Sequence, residues 1–314
     1  MVKIVYCDYA AGNDTTGDGS ASNPYKTITK ASTGLSGDDE VRCAKSPAPT
    51  ALDGTLTFTN GSTSVATSAD LTAVLAAKDF VSLNSTGDHA GETWWEISSL
   101  TSTTITLTSK YSGTGGTGTG YKLGVTDTGA AASSSTVVQQ LSASGSSGHL
   151  LKVSGGWNLA GTPAQDGYTW FWQSGSNKYG YGIQLSSKNY INLDCARIST
   201  LRYSRGIYLN GSSNNTITSP TCNSNGIGIC LDSSSNNTIT SSTCNSNSNY
   251  GIYLSSSNNN TITSATCNSN SYYGIYLSTS SNNTITSPTC NSNSNYGIYL
   301  STSSNNNTIT SPTC

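Results

Sequence analysis

Charge is what this 314-residue sequence has least of. Its 14 Lys and Arg and 16 Asp and Glu make up 10% of the chain and leave a formal net charge of −2. After Arg205 the only charged side chain is Asp232. Such a surface lacks the cationic patch that a phosphate backbone or an anionic membrane attracts, which excludes both as partners. No apolar run is long enough to span a bilayer. The Met-Val-Lys-Ile-Val-Tyr-Cys-Asp start has no secretory h-region, so the chain, taken as complete, is expected not to leave the cell by that route. His89 and His149 are isolated, and the nine cysteines show no Cys-x-x-Cys or Cys/His spacing. That argues against a zinc site, and no cofactor is expected.

What is present is repetition. The isoleucine of a Thr-Ile-Thr triplet falls at Ile217, Ile239, Ile262, Ile285 and Ile309, with gaps of 22, 23, 23 and 24. A cysteine five residues on keeps step at Cys222, Cys244, Cys267, Cys290 and Cys314. So does Gly-Ile-x-Leu, at Ile207/Leu209, Ile229/Leu231, Ile252/Leu254, Ile275/Leu277 and Ile298/Leu300. Disordered sequence has no reason to hold four apolar positions in register for a hundred residues. A fixed period of this size marks a solenoid, whose repeats bury their apolar faces only by stacking.

The alternation is that of strands, punctuated by Asn and Ser. Ile252, Leu254, Ile262 and Cys267 are expected to point inward, and Tyr253, Thr261 and Thr263 outward. Rungs stacked about 4.8 Å apart place identical residues in ladders. The inner ladder is then Ile217, Ile239, Ile262, Ile285 and Ile309 with Cys222, Cys244, Cys267 and Cys290. Asn215, Asn237, Asn260, Asn283 and Asn307 are positioned to chain their amides from rung to rung. Stacked cysteines have acceptable Cα spacing for a disulfide, but their parallel Cβ atoms lie slightly too far apart. Reduced thiols acting as small core hydrophobes are the reading.

Strings such as Gly-Ile-Tyr-Leu-Ser-Ser-Ser-Asn-Asn-Asn-Thr-Ile-Thr (251–263) resemble right-handed parallel β-helix repeats of the carbohydrate-binding and sugar-hydrolase type. The resemblance covers about 181–314, with a degenerate rung at Gly182-Ile183-Gln184-Leu185 and Ile191. Residues 5–31, VYCDYAAGNDTTGDGSASNPYKTITKA, are similar to the cap and first turn of pectate-lyase-like β-helices. The stretch 54–124 resembles a module of bacteriophage virion proteins: a Thr-Asn-Gly-Ser hairpin, Asp79-Phe80-Val81-Ser82-Leu83, a Trp-Trp-Glu-Ile strand, then Thr-Leu-Thr-Ser-Lys-Tyr-Ser-Gly. A phage origin would also account for the missing signal peptide. The expected fold is all-β, a right-handed single-stranded parallel β-helix. Residues 1–50 form the cap and first turn, 51–124 an inserted antiparallel β module, 125–180 irregular rungs and 181–314 the regular repeats.

Candidate chemistry is sparse. β-Helix proteins of the resembled type cleave polysaccharides, and a glycosidase needs two carboxylates about 5 to 9.5 Å apart. The repeats hold no such pair. The best cluster is Asp166, Asp194, Arg197, Arg202 and Arg205, with Asp194 and Arg205 expected to share a surface. Asp8, Asn13, Asp14 and Asp18 could supply oxygens to calcium, although Gly-Asn-Asp and Asp-Gly are ordinary turn chemistry. Trp157, Trp170 and Trp172, with the tyrosine row Tyr208, Tyr253, Tyr276 and Tyr299, which Cys230 interrupts, offer flat faces for sugar rings or an interface with a neighbouring subunit. Outward Thr pairs, Thr216/Thr218 through Thr308/Thr310, resemble the ice-contacting face of antifreeze solenoids.

The expectation is a structural virion surface protein of tail-fibre, spike or capsid-decoration type, a homo-oligomer bound to other virion subunits and able to bind host cell-surface polysaccharide. It would be assembled in the host cytoplasm. The chain stops at Cys314 part way through a repeat, which implies either a longer chain or a docked end. The alternatives are a polysaccharide-degrading tailspike-like enzyme and an ice-binding solenoid.

Overall fold

The computed structural model describes residues 2–46, 49–77, 79–83, 94–108, 110–111, 115–123, 126–127, 137–165, 169–172, 180–195, 198–201, 203–301 and 303–314. Residues 1–45 and 126–314 form one compact unit, and residues 46–125 a second.

The first unit is a parallel β-solenoid with rungs of about 23 residues. Its first sheet runs, in pairing order, through Ile4–Cys7, Glu40–Ala44, Leu151–Asn158, Ile191–Asp194, Thr216–Thr218, Thr238–Thr240, Thr261–Thr263, Thr284–Thr286 and Thr308–Thr310. The second runs through Val137–Gln140, Tyr181–Ser186, Arg205–Asn210, Ile227–Asp232, Tyr250–Ser255, Tyr273–Ser278 and Tyr296–Leu300. The third begins with Thr126–Asp127, Thr169–Trp172 and Ile198–Leu201; beyond it single bridges link Thr221, Thr243, Thr266, Thr289 and Thr313. The regular rungs are in register with their neighbours, so that Ile239 lies beside Ile217 and Ile262, and Leu254 beside Leu231 and Leu277.

A chain this polar turns corners cheaply. Each regular rung places small polar residues in the left-handed region, as at Ser233, Asn236, Ser241 and Ser246, with φ between 51° and 58°. Asn is among the residues that best tolerate this conformation, and short hydroxyl side chains bond locally at turns. Corner carbonyls and amides that would otherwise be orphaned meet asparagine side chains. Asn237 Nδ2 donates to Asn260 Oδ1 (3.2 Å) and to Ser212 O (3.0 Å), while the Asn237 backbone N–H donates to the same Oδ1 (2.8 Å). The ladder runs from Asn215 to Asn307. A second one, not anticipated from the sequence, links Asn225, Asn247, Asn270 and Asn293.

Inside the coil Ile217, Ile239, Ile262 and Ile285 are fully buried, as are Leu209, Leu231, Leu254 and Leu277. Cys222, Cys244, Cys267 and Cys290 line the same interior as free thiols, and Cys314 is exposed. Cys7 and Cys43, also register partners, approach to 3.3 Å between sulfurs. Strand alternation breaks at one place in each repeat. A Cβ on Gly251 would lie 2.6 Å from Gly274 O and 2.8 Å from Cys267 Cβ, so this residue and Ile252 both face inward. Only glycine fits there.

The second unit is a closed six-stranded antiparallel barrel, in the order Thr50–Phe58, Ser64–Thr67, Thr104–Leu107, Trp95–Leu100, Phe80–Leu83 and Gly116–Lys122. Leu56, Phe58, Val65, Val81, Ile97 and Ile105 fill it. Closure removes the exposed edges that an open module of short strands would present.

Two outcomes follow. Burial pushes the Cys195, Cys222, Cys244 and Cys267 thiols well above the ordinary range; at Cys7 the contact with Cys43 leads and burial adds. The folded state therefore keeps protons that the unfolded chain releases above about pH 8.5. This stabilisation is complete below that pH and is lost as pH rises towards the folded-state values, by about 1.4 kcal/mol per pH unit per thiol. Urea unfolding is expected to show a lower midpoint at pH 10 than at pH 7, with a flatter dependence in a Cys244→Ala/Cys267→Ala variant. Gly251→Ala should cost about 1–3 kcal/mol through overpacking, measured the same way.

Candidate functional site

Two outer faces of the solenoid carry side chains that can meet another molecule. On the first sheet, Val41, Val153, Leu193 and Ile217 point inward, so their strand neighbours point out. Register then aligns two outward columns. One is Glu40, Lys152, Asn192, Thr216, Thr238, Thr261, Thr284 and Thr308; the other is Arg42, Ser154, Asp194, Thr218, Thr240, Thr263, Thr286 and Thr310. The first three rungs of these columns are charged. The last five are threonine throughout.

The charged end is a connected network. Glu40 accepts from Ser154 Oγ at 2.7 Å and from Arg42 Nε at 3.0 Å. Lys152 Nζ lies 3.6 Å from Glu40 Oε1 and 3.8 Å from Asp194 Oδ2. The strand register shifts between Ser154 and Trp157, across Gly155 and Gly156 (φ 77°). A bulge of this kind re-aims the following side chain. Trp157 thereby reaches back to donate from Nε1 to Ser154 Oγ at 3.0 Å, and the Arg42 guanidinium lies 3.8 Å from its ring centroid. Arg42 also donates to Tyr6 Oη at 3.2 Å. Side-chain exposure is 42% for Lys152 and 32% for Asp194, against 12% for Glu40.

Both carboxylates sit beside one ammonium, so their oxygens cannot lie farther apart than the upper end, about 9.5 Å, of the glycosidase window. Each carboxylate faces the Lys152 ammonium.

On the second sheet the aromatic row is doubled. The inward turn of both Gly251 and Ile252 leaves Tyr250 and Tyr253 together on the outside. Tyr253 stacks on Tyr276 at 5.0 Å and Tyr276 on Tyr299 at 5.4 Å. Beside them Tyr250 stacks on Tyr273 at 5.5 Å, and Tyr273 on Tyr296 at 5.9 Å. The ring faces are thus turned to each other along the axis, leaving edges and hydroxyls outward. Tyr272 and Tyr296 are 48% and 58% exposed.

The row begins differently. Arg205 lies over Tyr208 (4.6 Å) and Tyr181 (5.3 Å), and Tyr208 is nearly buried, donating to Asp232 Oδ2 at 3.3 Å. Burial first, then Asp232, pushes the Tyr208 hydroxyl up to about 12. Cys230, beside Arg205, is pushed up to about 11 by burial.

The expected cluster of Asp166, Asp194, Arg197, Arg202 and Arg205 comes apart where it is described. Asp194 belongs to the first sheet and Arg205 to the second. Asp166, Arg197 and Arg202 lie outside the described residues, as do the side chains of Trp170 and Trp172 in the strand Thr169–Trp172. In the acidic loop, Asp8 and Asn13 accept backbone N–H groups two and three residues on. Asp18 accepts from Ser20 N, and Asp14 from Lys26 N, Thr27 N and Thr27 Oγ1. These are turn and cap bonds. Among the described residues no group of three or more His, Cys, Asp or Glu side chains could hold a metal ion. Sequence reading missed Glu40, Arg42, Lys152 and Ser154. Their alternation in Glu-Val-Arg-Cys and Leu-Lys-Val-Ser was visible, but not that the two segments are neighbouring rungs.

No curated protein matches the sequence. Among solved structures the chain is similar to pectate lyase Pel9A, at 13% identity and a TM-score of 0.55, over 93% of this chain and 54% of that one. This chain therefore spans about half the length of that enzyme, and the likeness is one of fold. An alginate lyase from Paenibacillus sp. matches at 15% identity and a TM-score of 0.44, over 55% of this chain and 63% of that one. A tailspike protein from Pseudomonas phage LKA1 matches at 12% identity and a TM-score of 0.28, over 83% of this chain and 42% of that one. Residues 141–311, more than half of the chain, match the family described as periplasmic copper-binding protein (NosD), and the chain belongs to that family.

Proposed function

We propose that the protein is a non-enzymatic surface scaffold of a bacteriophage virion, of tail-fibre, spike or decoration type, whose solenoid holds a neutral polar face against host cell-surface glycan. The observation that carries this reading is the threonine face. Ten hydroxyls, from Thr216 and Thr218 to Thr308 and Thr310, stand in register on five adjacent strands. Among the described residues none of these ten hydroxyls bonds to the protein, whereas the Asn and Ser side chains at the inner corners are engaged between rungs. Free donors and acceptors on a rigid, uncharged sheet suit a polyhydroxylated partner.

The tyrosine face suits a different one. Its rings stack on one another and offer edges, a poor platform for sugar but an apolar surface of the kind that packs against another subunit. Contact with copies of itself or with other virion proteins is assigned to that side. The virion setting rests on the resemblance of residues 54–124 to phage virion modules.

The family description names copper. Copper sites draw on thiolate, thioether and imidazole donors. This chain has one Met and two His, and His149 is paired with Asp38 on the surface. The laddered thiols Cys222, Cys244, Cys267 and Cys290 line the apolar interior, and burial keeps the first three protonated. These donors do not fit a copper centre, so copper plays no part in this reading.

Incubated with polysaccharide from the host surface, the purified protein is expected to bind and to release no reducing or unsaturated ends. Antibody labelling in electron micrographs should place it on the particle exterior. Release of either kind of end would overturn the non-enzymatic role. The face organises saccharide rather than ice, so its solutions should show no thermal hysteresis.

A further inference from the structure

The structure assigns a saccharide-binding subsite to the Trp157, Lys152, Asp194 and Glu40 cluster at the charged end of the first sheet, with a neutral, polyhydroxylated chain as its ligand. The assignment rests on the glycan reading above and names the place and class of the sugar.

The fold itself does not require these charges. The same two outward columns are filled by threonine in five successive rungs, and those rungs pair in the same register. Taking ionic groups partly out of water costs free energy that a threonine at the same position would avoid. Yet a chain with only 10% charged residues places Glu40, Arg42, Lys152 and Asp194 on three adjacent strands of one face. The residues come from three segments, Glu40 and Arg42 lying more than a hundred positions before Lys152, and Asp194 about forty after it, so the grouping exists only in the folded state.

The chemistry selects the ligand. Arg42 and Ser154 hold Glu40 from below, and Arg42 and Ser154 also fix the Trp157 ring. Lys152 and Asp194 remain the more exposed pair, a donor beside an acceptor 3.8 Å apart. Vicinal sugar hydroxyls, each able to donate and accept, match such a pair, while an indole covers the apolar face of a pyranose ring. A polyanion would meet Glu40 and Asp194, and a polycation Arg42 and Lys152, while the paired charges leave no net field to favour either. A neutral glycan meets neither penalty. From this subsite the outward columns continue as Asn192 and then as unpartnered threonine hydroxyls, spaced by the rung repeat of about 4.8 Å.

Affinity electrophoresis through gels containing dextran, yeast mannan or galactan, and in parallel polygalacturonate or alginate, tests this. Wild-type protein is expected to be retarded by at least one neutral polymer. Trp157→Ala and the size-conserving Asp194→Asn should each weaken that retardation about tenfold, with an unfolding midpoint near that of the wild type for Asp194→Asn. If both variants bind the neutral polymer as wild type does, the subsite is elsewhere while the glycan reading stands. Retardation by the acidic polymers alone overturns the ligand class. No retardation by any polymer overturns both.

Discussion

Stacking of like on like is the constraint from which everything else in the solenoid follows. A rung of about 23 residues has too little apolar surface to fold alone. It persists because backbone edges, the corner asparagine amides and the inward isoleucines meet their own counterparts one rung away. The corner asparagines matter most, since they bring polar atoms inside without leaving them unpaired. Asn260, about 1% exposed, accepts from Asn237 and donates to both Asn283 Oδ1 and Ser234 O. A half-satisfied network of this kind would be worse than an apolar one.

The same constraint frees the surface. With the interior satisfied by Ile, Leu, Cys and Asn, the outward positions answer to no packing demand, so their identities report what the face is for. Five rungs repeat threonine on one side and three repeat paired tyrosines on another. The charged cluster stands out against that uniformity.

Much of this was legible because a solenoid writes its geometry as a period. The inward Ile and Cys ladders, the outward threonines and the first asparagine ladder all follow from spacing alone. Two features did not. Tyr250, Tyr273 and Tyr296 were hidden by the assumption of strict alternation, which Gly251 and its counterparts break by facing inward together with the next isoleucine. The Glu40–Lys152–Asp194 grouping was hidden by the barrel-forming stretch 46–125, because register across a long insertion is set by pairing that no local pattern records. The acidic loop was legible as turn chemistry, and its oxygens do make turn bonds.

The most direct measurement of the central claim is the urea midpoint of Asn260→Ala against that of Asn249→Ala, a change at an exposed asparagine. Removing the Asn260 amide strands the Asn237 N–H and Ser234 O, each costing about 1–3 kcal/mol when buried without a partner, and leaves Asn237 Nδ2 with only Ser212 O and Ser235 O to bond. Asn260→Ala should therefore unfold at a clearly lower urea concentration, with Asn249→Ala close to wild type. Equal midpoints for the two variants would contradict the account.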